Sequence, residues 1–445
     1  MKRAPLVQEV SRRIGARQLV WFGTRGDDVE SATELPQFTA AFSLINRYER
    51  RTSVESMALE EATGIRPDLD TFDLDSHPRD EPVRGLRQAM LRVLSRPSVL
   101  FTYRPSAFVS AIGFARQDRC QYLGVFSDHQ SAFEHKPWVE SAVAGMGLPN
   151  IPWTYLADDD RLEALRQLGQ GPIMLRRSRT TGGVGLALLE DGDRLAEVWP
   201  DEDEAFVSVA PFIGDAVPVN VSAVVWDDGV TVHPASVQLI GIPSATTRRF
   251  GYCGNDFAAA EGLGRAVLDG IEDAVQRIGG WLRARGYIGA FGADFLVRDG
   301  VPLFTEVNPR FQGSTHLSCR ISVELEESCL LTEHLAACLG MAAPKSRALW
   351  DLAREAPKLS HVVVHVTDDR PRTGGADDLV DAVERTGLLR RVDVAVPPDV
   401  VAEPSATVAR MTLGGQVTDD GFAVVPALAQ AIGGWARNER ERRVG

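Results

Sequence analysis

Cysteine is scarce in this protein. Five occur in 445 residues, Cys120, Cys253, Cys319, Cys329 and Cys338. An odd number with no CxxC spacing fits reduced thiols better than a disulfide framework and argues against a zinc site. Long apolar runs are missing as well. Nothing approaches about 18 consecutive apolar residues, so no membrane span is expected. The opening MKRAPLVQEVSRRIGARQ has neither an apolar core nor a cleavage-like site, and the expected location is the cytoplasm. Positive charge is in deficit: a formal net charge of -13 disfavours nucleic acid and anionic membranes as partners. There is no GxxxxGK[ST], hence no P-loop, and no internal repeat, low-complexity tract or Ser or Cys nucleophile constellation. What is present is ordinary, with 44% hydrophobic and 24% charged residues, as in soluble globular proteins. The length exceeds one compact core and predicts three or four subdomains.

Strand-like runs LVWFGTRG (Leu19 to Gly23), SVLFTY from Ser98 and YLGVFS from Tyr122 alternate with helical stretches such as VRGLRQAMLRVLS. That alternation predicts a parallel α/β domain over residues 1–128. In HKPWVESAVAGMGLP, Trp138, Val139, Ala142, Val143 and Met146 share a helical face, Pro137 suits the first turn and Gly147 stops the helix. Lys136 is then placed just before a helix N-terminus, where a lysine is ordinarily solvated.

GPIMLRRSRTTGGVGLALLED reads as a hairpin whose strands, Ile173 to Leu175 and Leu186 to Leu189, flank two arginines and TTGGVG. Such glycines let backbone N–H groups approach phosphates, and the same pattern also describes a mobile hairpin tip. FVSVAPFIGDAVPVNVSAVVWDDG gives two strands broken around Gly214. Leu263, Val267, Ile271, Val275, Ile278 and Leu282 predict one amphipathic helix from Glu261 to Arg285, ending at Gly286. GMAAPKSRALWDLAREAPK is linker-like, so a separate small α+β domain is expected over 341–445.

GADFLVRDGVPLFTEVN predicts a hairpin. With a three-residue loop, Asp299 to Val301, Arg298 pairs with Pro302, Leu296 with Phe304 and Asp294 with Glu306. Paired residues share a face, and so does Asn308 two positions on. A two-residue loop would split the carboxylates between faces. On the first register, two carboxylates and an amide stand at one end of an apolar face carrying Leu296 and Phe304. Adjacent buried carboxylates are costly unless a cation neutralises them, and hard oxygen donors suit Mg²⁺ with nucleotide phosphates completing its shell. Arg310, in the same alternation, points to the same mouth, where it can stabilise a developing oxyanion.

These residues carry a resemblance. G-x-D-F, a twelve-residue step to Glu306, then E-V-N-P-R and Q-G-S-T resemble the metal hairpin of ATP-grasp carboxylate–amine ligases, over roughly residues 129–340. The resemblance implies an ATP-grasp fold. Its small lobe with the Gly-rich loop would span 129–205 and its large lobe with the metal hairpin 206–340, behind the N-terminal α/β domain. It implies ATP and Mg²⁺ as cofactors, with Asp294, Glu306 and Asn308 on the metal. Lys136 and Arg176 would contact phosphates, and the loop Thr181, Gly182, Gly183, Gly185 would close over them. The backbone near Ala210 and Phe212 would read the adenine edge, and Arg310 would stabilise the reacting phosphoryl group. In layout the sequence is most similar to peptide ligases of natural-product pathways, such as that for pheganomycin. The implied partners are a small carboxylic acid and an amine, amino acid or peptide, in a homodimer. Two features depart from the family pattern: Arg176 and Arg177 stand where lysine is usual, and Ala210-Pro211 where an acid precedes the hinge, leaving Asp215 as the nearest acid for a ribose. The loop PSATTRRFGYCGNDF, with Arg248 and Arg249, is expected to meet a substrate carboxylate or phosphate, Arg248 foremost. The alternatives are a carboxylase or nucleotide-pathway ligase, disfavoured by the lack of a biotin-domain signature, or a nucleotide-binding protein without turnover.

Overall fold

The computed structural model describes residues 2–444 except 126, 158–159 and 200–205. The first 128 residues build a five-stranded, wholly parallel sheet. Its strands are β1 (Gln18–Arg25), β2 (Phe38–Ile45), β3 (Glu55–Ala58), β4 (Ser98–Thr102) and β5 (Cys120–Leu123), in spatial order β3-β2-β1-β4-β5. Strands covered on both faces need continuous apolar runs, and LVWF and VLF supply them. Trp21 and Phe101 pack with ring centroids 4.8 Å apart.

Four antiparallel strands follow: β6 (Thr154–Ala157), β7 (Ile173–Thr181), β8 (Val184–Leu189) and β9 (Phe206–Pro211), ordered β6-β9-β7-β8. The β7–β8 hairpin is longer than the sequence implied, because the strand runs on through both arginines to Thr181. Helix α1 (Lys136–Gly145) precedes this lobe, with Lys136 as its first residue rather than the residue before it.

The largest sheet has nine strands. Eight follow one another as β14-β13-β10-β11-β12-β15-β17-β16, and Val230–Val232 pairs beside β10. They are β10 (Val217–Val225), β11 (Ser236–Ile240), β12 (Tyr252–Asp256), β13 (Gly289–Arg298), β14 (Val301–Asn308), β15 (Leu359–His365), β16 (Leu389–Ala395) and β17 (Thr407–Gly414). Helix α2 (Arg265–Arg283) buries Val267, Ile271, Val275, Ile278 and Leu282 in one core with the sheet residues Phe291, Phe295 and Phe304. Burying each of these groups stabilises the fold by about 1.5–3 kcal/mol. This helix is shorter than expected. Gly264, at φ 81°, separates it from a 3₁₀ turn at Ala260–Leu263, and a helix cannot continue through a left-handed residue.

The region beyond residue 341 is not a separate body. Its strand β15 pairs with β12, and Leu239, Ile242 and Cys253 share a core with Val362, Met411 and Leu428. Among the described residues no helix is long and apolar enough to cross a membrane.

Candidate active site

The site is built around the β13–β14 hairpin. Its turn has two residues, Asp299 and Gly300, both at positive φ (53° and 74°), not the expected three. Arg298 therefore pairs with Val301, Val297 with Pro302 and Phe295 with Phe304. Continued unbroken, that register would place Glu306 on the core face. A register shift between Asp294 and Phe295 prevents it: one extra residue, Thr305, is taken up on β14, and Asp294 pairs with Glu306 after all. Phe304 is the casualty of the expected face. It turns into the core, its ring centroid 6.1 Å from that of Phe295, while Leu296 and Thr305 line the cavity with the two acids.

Asp294, Glu306 and Asn308 meet over this shift. Asn308 Nδ2 donates to Asp294 Oδ2 at 3.0 Å and to Glu306 Oε1 at 3.1 Å. Asn220 Nδ2, from β10, donates to Asp294 Oδ1 at 2.6 Å. Lys136 Nζ is paired with Glu306, so this lysine is nearly buried and far from solvated. Burial, and then the Glu306 carboxylate, push Asp294 up to about 8. Glu306 suffers the same burial but is held at about 2, chiefly by Lys136. The pair thus keeps one negative charge, matched by one lysine. An all-oxygen donor set with surplus acidity fits a hard divalent cation, which would displace that proton. Among the described residues no cluster of three or more His, Cys, Asp or Glu forms a metal site; the donors here are two carboxylates and an amide.

Arg310 lies just beyond β14. Its Nη2 donates to Asn308 Oδ1 at 3.1 Å, and its Nε lies 3.6 Å from Glu134. Burial works against its charge, yet Tyr103, Glu134, Glu306 and Asp294 raise its pKa. The alternation of Glu306, Asn308 and Arg310 does bring all three to one cavity of about 720 Å³.

The opposite wall comes from the small lobe. Arg176 lies 3.9 Å from the Trp153 ring centroid and donates to Glu140 Oε1 at 2.5 Å, with its Nε left unpartnered. Tyr155 Oη also donates to Glu140, at 2.8 Å. Glu140 was missed in the sequence, although it stands one helical turn after Lys136 on the same face. Gly182 and Gly183 form the turn of the β7–β8 hairpin, at φ 56° and 79°. A Cβ on Gly182 would lie 2.1 Å from the Asp70 carboxylate carbon, and one on Gly183 2.2 Å from the Phe250 carbonyl oxygen. The turn is thus packed down onto two other segments at the cavity mouth. Gly185 sits on β8 away from the cavity lining, and the side chain of Thr181 lies outside the described residues.

Ala210, Phe212 and Asp215 line the cavity, but the Phe212 N–H already donates to the Pro172 carbonyl at 2.8 Å. Arg248 is placed differently from expectation. Asp68 and Asp70 bind it, the latter at 2.8 Å, and it does not line the cavity; its neighbour Arg249 does. Two carboxylates on one guanidinium leave it little capacity for a substrate anion. Gln312, which opens the Q-G-S-T motif, lines the cavity, and so do Gln238, Tyr252 and Asn255, which were not singled out in the sequence. Isolated amides and phenols in strands carry no spacing signal.

Residues 175–314 match the model of the ATP-grasp domain family. No curated protein matches the sequence. Among solved structures, the protein resembles N5-carboxyaminoimidazole synthetase from Staphylococcus aureus complexed with ADP, at 12% identity over 96% of each chain, TM-score 0.59. It resembles carboxyaminoimidazole ribonucleotide synthase from Aspergillus clavatus complexed with ATP, at 14% identity over 96% of this chain and 98% of that one, TM-score 0.57. A third is the biotin carboxylase domain of 2-oxoglutarate carboxylase from Hydrogenobacter thermophilus, complexed with MgADP and bicarbonate. It is 12% identical over 90% of this chain and 87% of that one, with a TM-score of 0.58. Likeness at such identities is likeness of fold.

Proposed function

We propose that this protein, whose fold is the ATP-grasp fold, is an ATP-dependent carboxylate–amine ligase. The observation that supports it is the convergence of Asp294, Glu306, Asn308 and Arg310 on one cavity beneath a glycine turn, with Lys136 paired to Glu306 behind them. A carboxylate is a poor electrophile, so it must first be activated. In this reading a substrate carboxylate oxygen attacks the γ-phosphorus of ATP, giving an acyl phosphate and ADP. An amine then attacks the acyl carbon, the tetrahedral intermediate expels phosphate, and the amine's proton leaves with it. The products are an amide, ADP and phosphate. Mg²⁺, bound by Asp294, Glu306 and Asn308, supplies charge neutralisation at the phosphates. Asn308 bridges the two carboxylates through its amide, Lys136 exchanges Glu306 for a phosphate oxygen, and Arg310 presents a planar fork to the oxygens between the γ-phosphate and the substrate. Arg176 would face phosphate through its free Nε. The likeness in overall layout to natural-product peptide ligases makes an amino acid or peptide the preferred amine, in a cytoplasmic peptide pathway.

A second reading has its own support. The structural neighbours include carboxyaminoimidazole synthetases and a biotin carboxylase domain, and in this reading bicarbonate takes the place of the activated acid. ADP release measured with ATP, Mg²⁺ and a panel of acids and amines separates the two. Release requiring both a carboxylic acid and an amine, with a product lighter by one water than their sum, supports the ligase. Release with bicarbonate alone overturns it.

A further inference from the structure

The cavity has a second end, formed by the N-terminal domain. In the strand order β3-β2-β1-β4-β5 the connections run one way from β1 and resume on its other side at β4. The carboxyl ends of β1 and β4 therefore flank a topological switch point, where adjacent connections diverge and leave a crevice. Thr24 and Arg25 end β1, Tyr103 and Arg104 follow β4, and all four line the cavity.

Two polar atoms in that crevice are buried and have no hydrogen-bond partner among the described residues: Thr24 Oγ1 and Arg25 Nε. Neighbouring cations each have a carboxylate partner. Arg410 binds Asp28 at 2.7 Å, Arg320 binds Asp393 at 2.8 Å, and Arg104 lies 3.4 Å from Glu134. Arg25 has no ion pair and no side-chain hydrogen bond among the described residues. A guanidinium with a buried, unpaired N–H is costly unless something outside the protein completes it. A hydroxyl donor beside it adds a second, differently directed hydrogen bond. Arg25, Tyr103 and Arg310 line one and the same cavity, so the crevice is continuous with the proposed reacting end.

We propose that Arg25 and Thr24 form an oxyanion subsite, which holds a carboxylate or phosphate group of the substrate remote from the group that reacts. The proposal rests on the ligase reading for what happens at the other end of the cavity. It implies that the substrate carries an anionic group besides the group that reacts, as an amino acid reacting through its amine, a dicarboxylic acid or a phosphorylated carboxylic acid does. Arg25 is then a specificity-determining residue that fixes which end of the substrate faces Arg310.

The test uses the full-length protein as wild type, Arg25→Gln and Arg25→Lys, with and without Mg·ADP. Each is titrated by calorimetry with glutarate and with inorganic phosphate, and melting curves establish that the variants fold. One of the two anions should bind the wild type and bind Arg25→Gln at least about tenfold more weakly, with Arg25→Lys between them. Thr24→Val should weaken the same anion by a smaller factor. Glutarate as the responsive anion identifies a carboxylate, and phosphate a phosphate monoester. Equal binding by wild type and Arg25→Gln overturns the inference, including phosphate held only where the nucleotide's γ-phosphate sits. So does wild type that binds neither anion. Failure of Mg·ADP itself to bind overturns the ligase reading instead, and an Arg25-dependent anion site would survive it.

Discussion

At the scale of single residues, the two acids are expected to separate activity from stability. Burial and the Glu306 charge push Asp294 up to about 8, so its ionised form is one the empty protein tolerates poorly. Asp294→Ala and Glu306→Ala should each lower turnover by roughly a hundredfold or more. The melting temperature should move little for Asp294→Ala, because a buried acid is removed along with its hydrogen bonds. Steady-state ADP release and a thermal melt on the same preparations test this, and near-normal activity in both variants would sink the metal assignment. Arg310 makes a different prediction. Its fork engages Asn308 and the Phe311 carbonyl, beside the two acids, and on the proposed function it serves the reacting oxygens and not the adenosine. Arg310→Lys keeps the charge and loses the fork. ATP affinity should change only a few-fold while turnover falls about a hundredfold, a loss of roughly 3 kcal/mol in transition-state stabilisation. Loss of ATP binding with high residual turnover at saturating ATP would make Arg310 a ground-state contact.

At the scale of elements, the glycine turn is the sharpest case. Gly183 combines φ 79° with a space that a Cβ would share with the Phe250 carbonyl at 2.2 Å. Gly183→Ala strains the backbone and pushes the turn off its seat. The expected outcome is a rise in KM for ATP of about tenfold with kcat less affected. Amide exchange over 179–185 should quicken in the variant and slow in wild type when ATP and Mg²⁺ are added. The hairpin below it shows how far sequence reaches. Asp294, Glu306 and Asn308 were legible as a group because their spacing is local. Their common face was reached through the wrong turn, since a shift that absorbs Thr305 leaves no mark in composition. Lys136 and Arg176 were legible as cations but not as members of pairs, because their partners, Glu306 and Glu140, lie 170 and 36 positions away. Thr24 and Arg25 were invisible for the same reason: a free guanidinium is defined by everything that fails to touch it.

Across the whole molecule, remote segments are tied by buried charge. Arg410, on β17, binds Asp28 after β1 at 2.7 Å, with side chains 1% and 3% exposed. Removing one member strands the other, so Arg410→Ala should cost about 3–5 kcal/mol, and Asp28→Ala in the same molecule should recover part of it. Chemical denaturation of the single and double variants measures both. The sheet gives a second prediction. A protein truncated after residue 341 loses β15 to β17, leaves β12 as an open edge paired only with β11 and exposes Leu239 and Cys253. It should be aggregated or unfolded by gel filtration and circular dichroism, whereas a monomeric, folded fragment would show that the linker-like stretch is a true boundary. That stretch read as a linker because its composition is one; strand pairing across it is a property of no local window.

The lysine on Glu306 has a consequence for order of events. A pocket that must hold two acids together while empty would push itself open, or would fill with whatever cation is most abundant in its surroundings. Lys136 removes both hazards by standing in with its own ammonium, from the first turn of a helix whose Val139 and Val143 pack in one core with Phe304 and Val307. That ammonium has to be drawn off before the acids can serve a metal, and a polyphosphate carries enough negative charge to draw it. Bare Mg²⁺ should therefore find the protein indifferent, and nucleotide should arrive with its ion already attached: the resting molecule is kept in a locked, self-neutralised condition that its own co-substrate opens.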